Sequence, residues 1–497
     1  MEITGFNFIG TTRSAKGNRS FKTFNPQLNC QNKWDFFEAT SEEINEAVRL
    51  AQTAFFALKK IDPLQRAAFL REIVRQLEVS KDLILTIYQL ETALPLVRAE
   101  AEFIRTINQL TNFAQLLESG QWPVEIKEPA DINRSPIKPS LLKTQIGIGP
   151  VVVFGASNFP LAYSTIGGDS VAALAAACPV IVKGHPMHAG TGEIVAKAVI
   201  EAAQITGMPN GIFSNLNAQD FNVGEQLVLH NGIEAVGFTG SIKGGTALLK
   251  LANTRKKPIP VFAEMGSLNP IILLPSEKDN LQNWAATITH SITNNSGQFC
   301  TKPGLLFCLK SNRSAVFLQN LATQFKQVKA ELMVSPAIWD NYNKRIDELK
   351  QNKHLQFVAT DDSKLPNIGK PILATIDGEN FLKDSKLQEE VFGPFSLVVV
   401  FDSLEYLIKG YTCLEGQLTT SFFGETNQFQ EIESLLFSAE SKAGRILFNQ
   451  VPTGVEISQA MHHSGAFPAS SDSRFTAVGI DSIARFSRPI VYQNRDY

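Results

Sequence analysis

Apolar residues recur at helical spacing in the first 120 residues and then, after residue 150, gather into short unbroken runs. Thr40-Ser41-Glu42-Glu43 has the form of a capping box, and Ile44, Ala47, Val48, Ala51, Phe55 and Leu58 follow it on one helical face. Asp62-Pro63 opens a second helix, with Asp as cap and Pro in the first turn, and Leu64, Ala67, Leu70, Val74 and Leu77 form its stripe. A third helix is expected from Leu96 to Leu117. Residues 125–140 are polar and carry Pro129, Pro136 and Pro139, the pattern of an extended connector.

From Val151-Val152-Val153-Phe154 the runs read as buried parallel strands alternating with helices. Helices are expected over Pro160 to Ala177, Glu193 to Ala203, Gly224 to His230 and Gly244 to Ala252. Strands are expected at Val180–Val182, Ile212–Phe213, Ala235–Phe238 and Ile259–Ala263. This alternation predicts an α/β fold with a doubly wound parallel sheet. A second alternating series begins at Ile271 and runs to about Asn449.

Composition narrows the function classes. The 497 residues imply two or three packed units. A formal charge of −2 supplies no basic field for nucleic acid or an anionic membrane. The longest apolar run, Val171 to Val182, is too short to span a bilayer and contains Pro179. The start, Met1-Glu2-Ile3-Thr4, has neither a basic nor an apolar leader segment. The five cysteines form no CxxC pair, which argues against a disulfide scaffold or a structural metal and for a reducing, cytoplasmic setting.

Chemistry is expected where strands end. Asn158 follows the Val151–Phe154 strand, where its amide can either hydrogen-bond a developing oxyanion or cap the next helix. Lys183 ends a strand and is either a reader of ribose or phosphate or a solvated charge. Gly240-Ser241 with Gly244-Gly245 lets backbone amides approach a pyrophosphate, or simply makes a tight turn. Cys300 sits in the small, polar loop Asn295–Cys300, where a thiol can have a lowered pKa and act as nucleophile. Glu264 closes an apolar run, where a carboxylate can have a raised pKa and act as general base, or form a buried ion pair.

Together these motifs resemble the aldehyde dehydrogenase superfamily. Asn158-Phe159-Pro160, Lys183, Phe238-Thr239-Gly240-Ser241, Glu264-Met265-Gly266, Gly297-Gln298-Phe299-Cys300 and Glu390-Val391-Phe392-Gly393-Pro394 stand in the family's order and spacing. Val182-Lys183-Gly184-His185, Gly266-Ser267-Leu268-Asn269-Pro270, Cys300-Thr301-Lys302-Pro303-Gly304 and the tail from Phe448 to Arg474 are similar to one branch. That branch holds the 2,5-dioxopentanoate (α-ketoglutarate semialdehyde) and the NADP-dependent fatty aldehyde dehydrogenases.

The resemblance implies a Rossmann-like NAD(P)-binding domain over 1–125 and 146–263. It implies an α/β catalytic domain over 264–455 and oligomerisation segments over 126–145 and 475–497. Cys300 would attack an aldehyde, Asn158 and the Cys300 amide would hold the oxyanion, and Glu264 would activate water against the thioester. Lys183, Gly240, Ser241 and Gly245 would hold the adenosine and pyrophosphate, and Glu390 and Phe392 the nicotinamide ribose. NAD or NADP is the implied cofactor, no metal is called for, and a homodimer or homotetramer is implied. Pro186, three residues after Lys183, neither repels nor binds a 2′-phosphate, so the choice of cofactor stays open. Arg105 with Gln109, one turn apart on a helix, and Arg474 are candidates to read a substrate carboxylate. A rival reading makes the chain a cysteine hydrolase pairing Cys300 with His462 or His463, but it leaves Glu264, Lys183 and Glu390 idle.

Overall fold

The computed structural model describes residues 2–359 and 366–495. Residues 1, 496 and 497, at the ends of the expected terminal segments, lie outside the described residues. Thr40 caps the helix Ser41–Leu58 by accepting from the Glu43 amide, while the Glu43 side chain accepts from the Thr40 amide. Asp62 and Gln65 do the same for the helix Pro63–Val79. Each such cap contributes about 1 kcal/mol. The helix Leu96–Glu118 forms where its stripe predicts. A further helix, Lys81–Thr92, follows Ser80, whose φ of −97° and ψ of 4° break it from its predecessor.

Among the described residues two seven-stranded sheets carry the architecture. In the first, Val261–Glu264, Ala235–Thr239, Val151–Phe154, Val180–Lys183 and Phe213–Leu216 lie side by side and parallel. Asn7–Ile9 and Thr12–Ser14 add antiparallel at the edge. Val151–Phe154 is central, so the strand order reverses direction there, and a crevice opens beyond the carboxyl ends of its neighbours. Phe154, Lys183, Thr239 and Glu264 end these strands.

The second sheet runs Gln356–Ala359, Ile372–Asp377, Phe395–Phe401, Leu305–Leu309, Ile271–Leu273, Gln417–Phe423 and Ala443–Phe448. All of these pair in parallel except Gln356–Ala359. Its central strands are buried on both faces, and Phe307, Phe381 and Phe401 meet edge to face with centroids 5.1–6.5 Å apart. A smaller antiparallel sheet joins Ile126–Glu128, Leu141–Gly147 and Ser487–Gln493, so the expected connector, 125–140, contains one strand and leads into a second. No helix among the described residues is long and apolar enough to cross a membrane.

One expected helix is much shorter than predicted. Only Gly168–Ala175 is helical within the apolar stretch from Pro160 to Ala177. Leu161 and Ala162 donate their amides to the buried Glu102 carboxylate at 2.8 and 3.0 Å, which holds this segment in turns. Asn158 therefore lies ten residues ahead of the helix and is not its cap.

Candidate active site

The crevice of the first sheet continues into a cleft of about 290 Å³ that reaches Cys300 and is walled by Asn158, Gly240, Ser241, Glu264, Glu390 and Phe392 among others. Cys300 is positioned by an unusual loop. Asn295, Ser296 and Gly297 all have positive φ, at 48°, 53° and 62°. Two consecutive non-glycine residues in that region are costly and persist only where the surroundings hold them. Gln298 does much of the holding, donating from Nε2 to the Asn295 carbonyl and accepting from the Val334 amide, both at 2.9 Å. Asn269, itself at φ 47°, donates to the carbonyls of Cys300 at 2.8 Å and Lys302 at 3.1 Å. Asn158 Nδ2 donates to the Gln298 carbonyl at 3.0 Å, which ties the two loops together and leaves its second N–H for a ligand.

Glu264 is buried at the end of its strand. Its Oε1 accepts from His463 Nε2 at 2.9 Å, and that nitrogen lies 3.7 Å from Cys300 Sγ. Glu264 Oε2 is buried without a hydrogen-bond partner. The electrostatics depart from both expectations drawn from sequence. Burial alone would raise the Glu264 pKa, but the charge and hydrogen bond of His463, with the Cys300 thiol and Arg485, bring it below the usual carboxylate value. The Cys300 pKa is not lowered: burial first, then the negative charge of Glu264, push it well above its ordinary value, against a weaker pull from Arg105. A thiol facing a buried carboxylate keeps its proton until a base takes it.

Ser241 caps the helix Ile242–Asn253, accepting from the Gly244 amide at 3.1 Å, and Gly240 donates to the Glu264 carbonyl at 3.0 Å. A side chain at Gly245 would collide with Met265, and one at Gly266 with the Glu390 carboxylate. Burial drops the Lys183 ammonium to about 8, and its Nζ donates to the Ala218 carbonyl at 3.1 Å. Burial raises the Glu390 carboxyl and lowers the Lys302 ammonium, and the charge of each partner pulls the other back. Lys302 Nζ also donates to the carbonyls of Val391 and Phe395, both at 3.0 Å, so it fixes the segment that presents Glu390 and Phe392.

The residue pattern matches the model of the aldehyde dehydrogenase family over residues 12–470. The chain belongs to the aldehyde dehydrogenase family. Membership makes it an oxidoreductase that acts on aldehydes. It is 40% identical to the alpha-ketoglutaric semialdehyde dehydrogenase of Acinetobacter baylyi, covering 99% of this chain and 94% of that one. Identity to alpha-ketoglutaric semialdehyde dehydrogenase 2 of Azospirillum brasilense is 38%, over 99% and 95% of the two chains. Among solved structures, an indole-3-acetaldehyde dehydrogenase complexed with NAD+ superposes with a TM-score of 0.85 at 19% identity, covering 99% of this chain and 97% of that one. An NADP-dependent glyceraldehyde-3-phosphate dehydrogenase from Bacillus halodurans does so with a TM-score of 0.84 at 18% identity, over 99% of each chain.

Within this dehydrogenase frame, Arg105 comes close to the Cys300 loop and Arg474 does not. Arg105 donates to the Val455 carbonyl at 2.6 Å and to the Tyr163 hydroxyl at 3.1 Å, and its Nε is buried without a partner. Gln109 is buried beside Gly168, with Oε1 unpartnered. Arg474 is exposed and turned outward, its guanidinium held by Asp472 at 2.6 and 2.9 Å. It lines a separate cavity with Gln145, His462 and Ile480, away from the cleft that reaches Cys300.

Three residues at this site were given no role, or a different one, from sequence. His463 entered only through the hydrolase reading, and it pairs instead with Glu264. Lys302 appeared only as part of a motif. Arg445, on the edge strand Ala443–Phe448, donates to the carbonyls of Pro452 and Gly454 and has a buried, unpartnered Nε. Its charge and that of Arg105 are both felt at Cys300. No local pattern marks His463 or Arg445; only the fold brings them to residue 300.

Proposed function

We propose that this aldehyde dehydrogenase oxidises 2,5-dioxopentanoate, the semialdehyde of 2-oxoglutarate, to 2-oxoglutarate with NAD or NADP. One observation carries the substrate: two guanidiniums, Arg105 and Arg445, grip the same short loop, 452–455, keep a buried N–H each without a partner, and make their charge felt at Cys300. Such groups suit a substrate carboxylate. The two relatives of 40% and 38% identity, named for this semialdehyde, support the same reading.

Cys300 Sγ forms the bond to the aldehyde carbon as its proton passes to the Glu264–His463 pair, which releases it to solvent before water is activated. The resulting oxyanion is met by the free Asn158 N–H and the Cys300 backbone amide. The glycine-lined helix start at Ser241, the half-buried Lys183 and the Glu390 carboxyl, fitted against Gly266, suit a dinucleotide with its ribose hydroxyls toward Lys183 and Glu390. When bound, the nicotinamide supplies the hydride acceptor. The acyl group left on Cys300 is a thioester, and Glu264 Oε2, which has no other partner, takes a proton from the water that cleaves it. The products are the free carboxylic acid and the restored thiol.

The test is a panel of aldehydes with and without a terminal carboxylate, each run with both cofactors. Preference for the semialdehyde supports the reading. A wild-type preference for decanal replaces it with a long-chain aldehyde dehydrogenase. The same proposal includes a homodimer or homotetramer, supported by the exposed Ile126, Ile132, Ile137 and Val491 on and beside the small sheet. Sedimentation measures it. A cytoplasmic setting is supported by five free thiols.

A further inference from the structure

Cys300 Sγ, His463 Nε2 and a Glu264 carboxylate oxygen all lie within 4.8 Å of one another. The sulfur–nitrogen separation is 3.7 Å and the nitrogen–oxygen separation 2.9 Å. A tetrahedral zinc ion with bonds of about 2.3 Å to sulfur and about 2.0 Å to nitrogen and oxygen holds its donors about 3.6 Å (S–N) and about 3.3 Å (N–O) apart. The sulfur–nitrogen and nitrogen–oxygen separations are thus within a few tenths of an ångström of those around one ion, and the sulfur–oxygen separation is at most 4.8 Å. We propose that Zn²⁺ binds reversibly at Cys300, His463 and Glu264, with water in the fourth position facing the cleft, and that this ion silences the enzyme.

Thiolate with imidazole selects a borderline-soft ion such as zinc over magnesium or calcium, which take oxygen donors. The open cleft that reaches Cys300 and Glu264 gives the ion its way in. The step balances without any redox partner. The Cys300 thiol proton leaves to solvent as the S–Zn bond forms, and the His463 ring proton moves from Nε2 to Nδ1, freeing the Nε2 lone pair. Nδ1 is buried and unpartnered. Glu264 and His463 also wall a small cavity with Ser470, Ser471, Asp472 and Arg485, with about 10 Å³ for a water centre. That is room for one water, the kind of outer partner that a metal-bound histidine uses. Once its lone pair is held by the ion, Cys300 sulfur cannot attack a carbonyl.

The proposal rests on these three side chains and is independent of which aldehyde is oxidised. Full-length protein is titrated with Co²⁺, a spectroscopic substitute for zinc. One equivalent per chain giving a thiolate-to-cobalt charge-transfer band with tetrahedral visible bands is the expected result. Zn²⁺ is then expected to inhibit in competition with aldehyde and a chelator to restore turnover. Outer-shell changes alone weaken metal sites by about 10–100-fold, so His463→Gln, which removes a ligand, is expected to weaken binding at least about tenfold. His462→Gln, at the neighbouring position, is expected to leave the affinity unchanged. A band that persists in Cys300→Ala places the metal elsewhere, for example at the exposed Cys30 or Cys413, and overturns the site. Equal zinc sensitivity in His463→Gln overturns it as well. Should that variant fail to fold, wild type decides: zinc must shield Cys300 from iodoacetamide, and unslowed alkylation refutes the proposal.

Discussion

Glu91 and Glu264 are both fully buried carboxylates, yet they are built in opposite ways. Glu91 accepts from the Gly190 amide at 2.7 Å and from the Thr191 amide and hydroxyl at 2.8 and 2.7 Å, fastening the helix Lys81–Thr92 to the start of Ala189–Ile205. Glu193 and Glu102 follow the same plan, tying down Thr4 with Gly5 and Leu161 with Ala162. In these groups both oxygens have partners. Glu264 has one partner, a histidine, and one oxygen with none. A desolvated acceptor left open costs about 1–3 kcal/mol, so it persists where a ligand or reacting group fills it. The comparison separates carboxylates that hold the fold from one that works on substrate.

The largest expected effect breaks the working cluster at its nucleophile. Cys300→Ala is expected to lower turnover by about 10⁴-fold or more, while cofactor binding and the thermal midpoint stay near wild type. Substantial residual dehydrogenase activity would refute the assignment. Next comes Glu264→Gln, which keeps the shape and removes the base. Pre-steady-state kinetics should show a burst of reduced cofactor followed by a steady rate lowered about 10²–10⁴-fold. An unchanged steady rate would mean that another group, with His463 the first candidate, activates the water.

How much of this was readable in the chain follows from the range of the interactions. The Thr40 and Asp62 caps are local, three residues across, and the spacing shows them directly. The strand-end positions of Asn158, Lys183 and Glu264 follow from the buried runs just before them. The helix expected from Pro160 failed because Glu102, some 60 residues earlier, claims the amides of Leu161 and Ala162. His463 reaches Cys300 across 163 residues, and Arg105 reaches the Val455 carbonyl across 350. The pKa directions were misjudged for the same reason: Cys300 in a polar loop suggests an easy thiolate, but the fold sets an anionic carboxylate against it.

A smaller effect sharpens the substrate side. A charge-assisted pair contributes about 1.5–3 kcal/mol, so Arg105→Ala is expected to lower kcat/KM for the semialdehyde about tenfold to a hundredfold. An uncharged aldehyde of equal length should be nearly unaffected. Arg445→Ala should behave alike if both guanidiniums meet one carboxylate, and the double variant should then fall short of the product of the two effects, because the two share a partner. Equal loss on both aldehydes would make these arginines supports of loop 452–455.

The smallest effect on catalysis belongs to the other member of the comparison. Glu91→Gln keeps volume but replaces one acceptor oxygen with an NH₂ group. The Gln oxygen can serve Thr191 or Gly190 but not both, so a donor is left facing a donor in a buried site. Burial already pushes Glu91 up to about 7 against the pull of its hydrogen bonds, and its side chain is shielded from solvent. The expected cost is about 1–3 kcal/mol of stability, read as a lower denaturation midpoint, with kcat within about twofold of wild type. A stable variant that has lost turnover would place Glu91 among the working groups and remove the distinction between satisfied and open carboxylates on which the comparison stands.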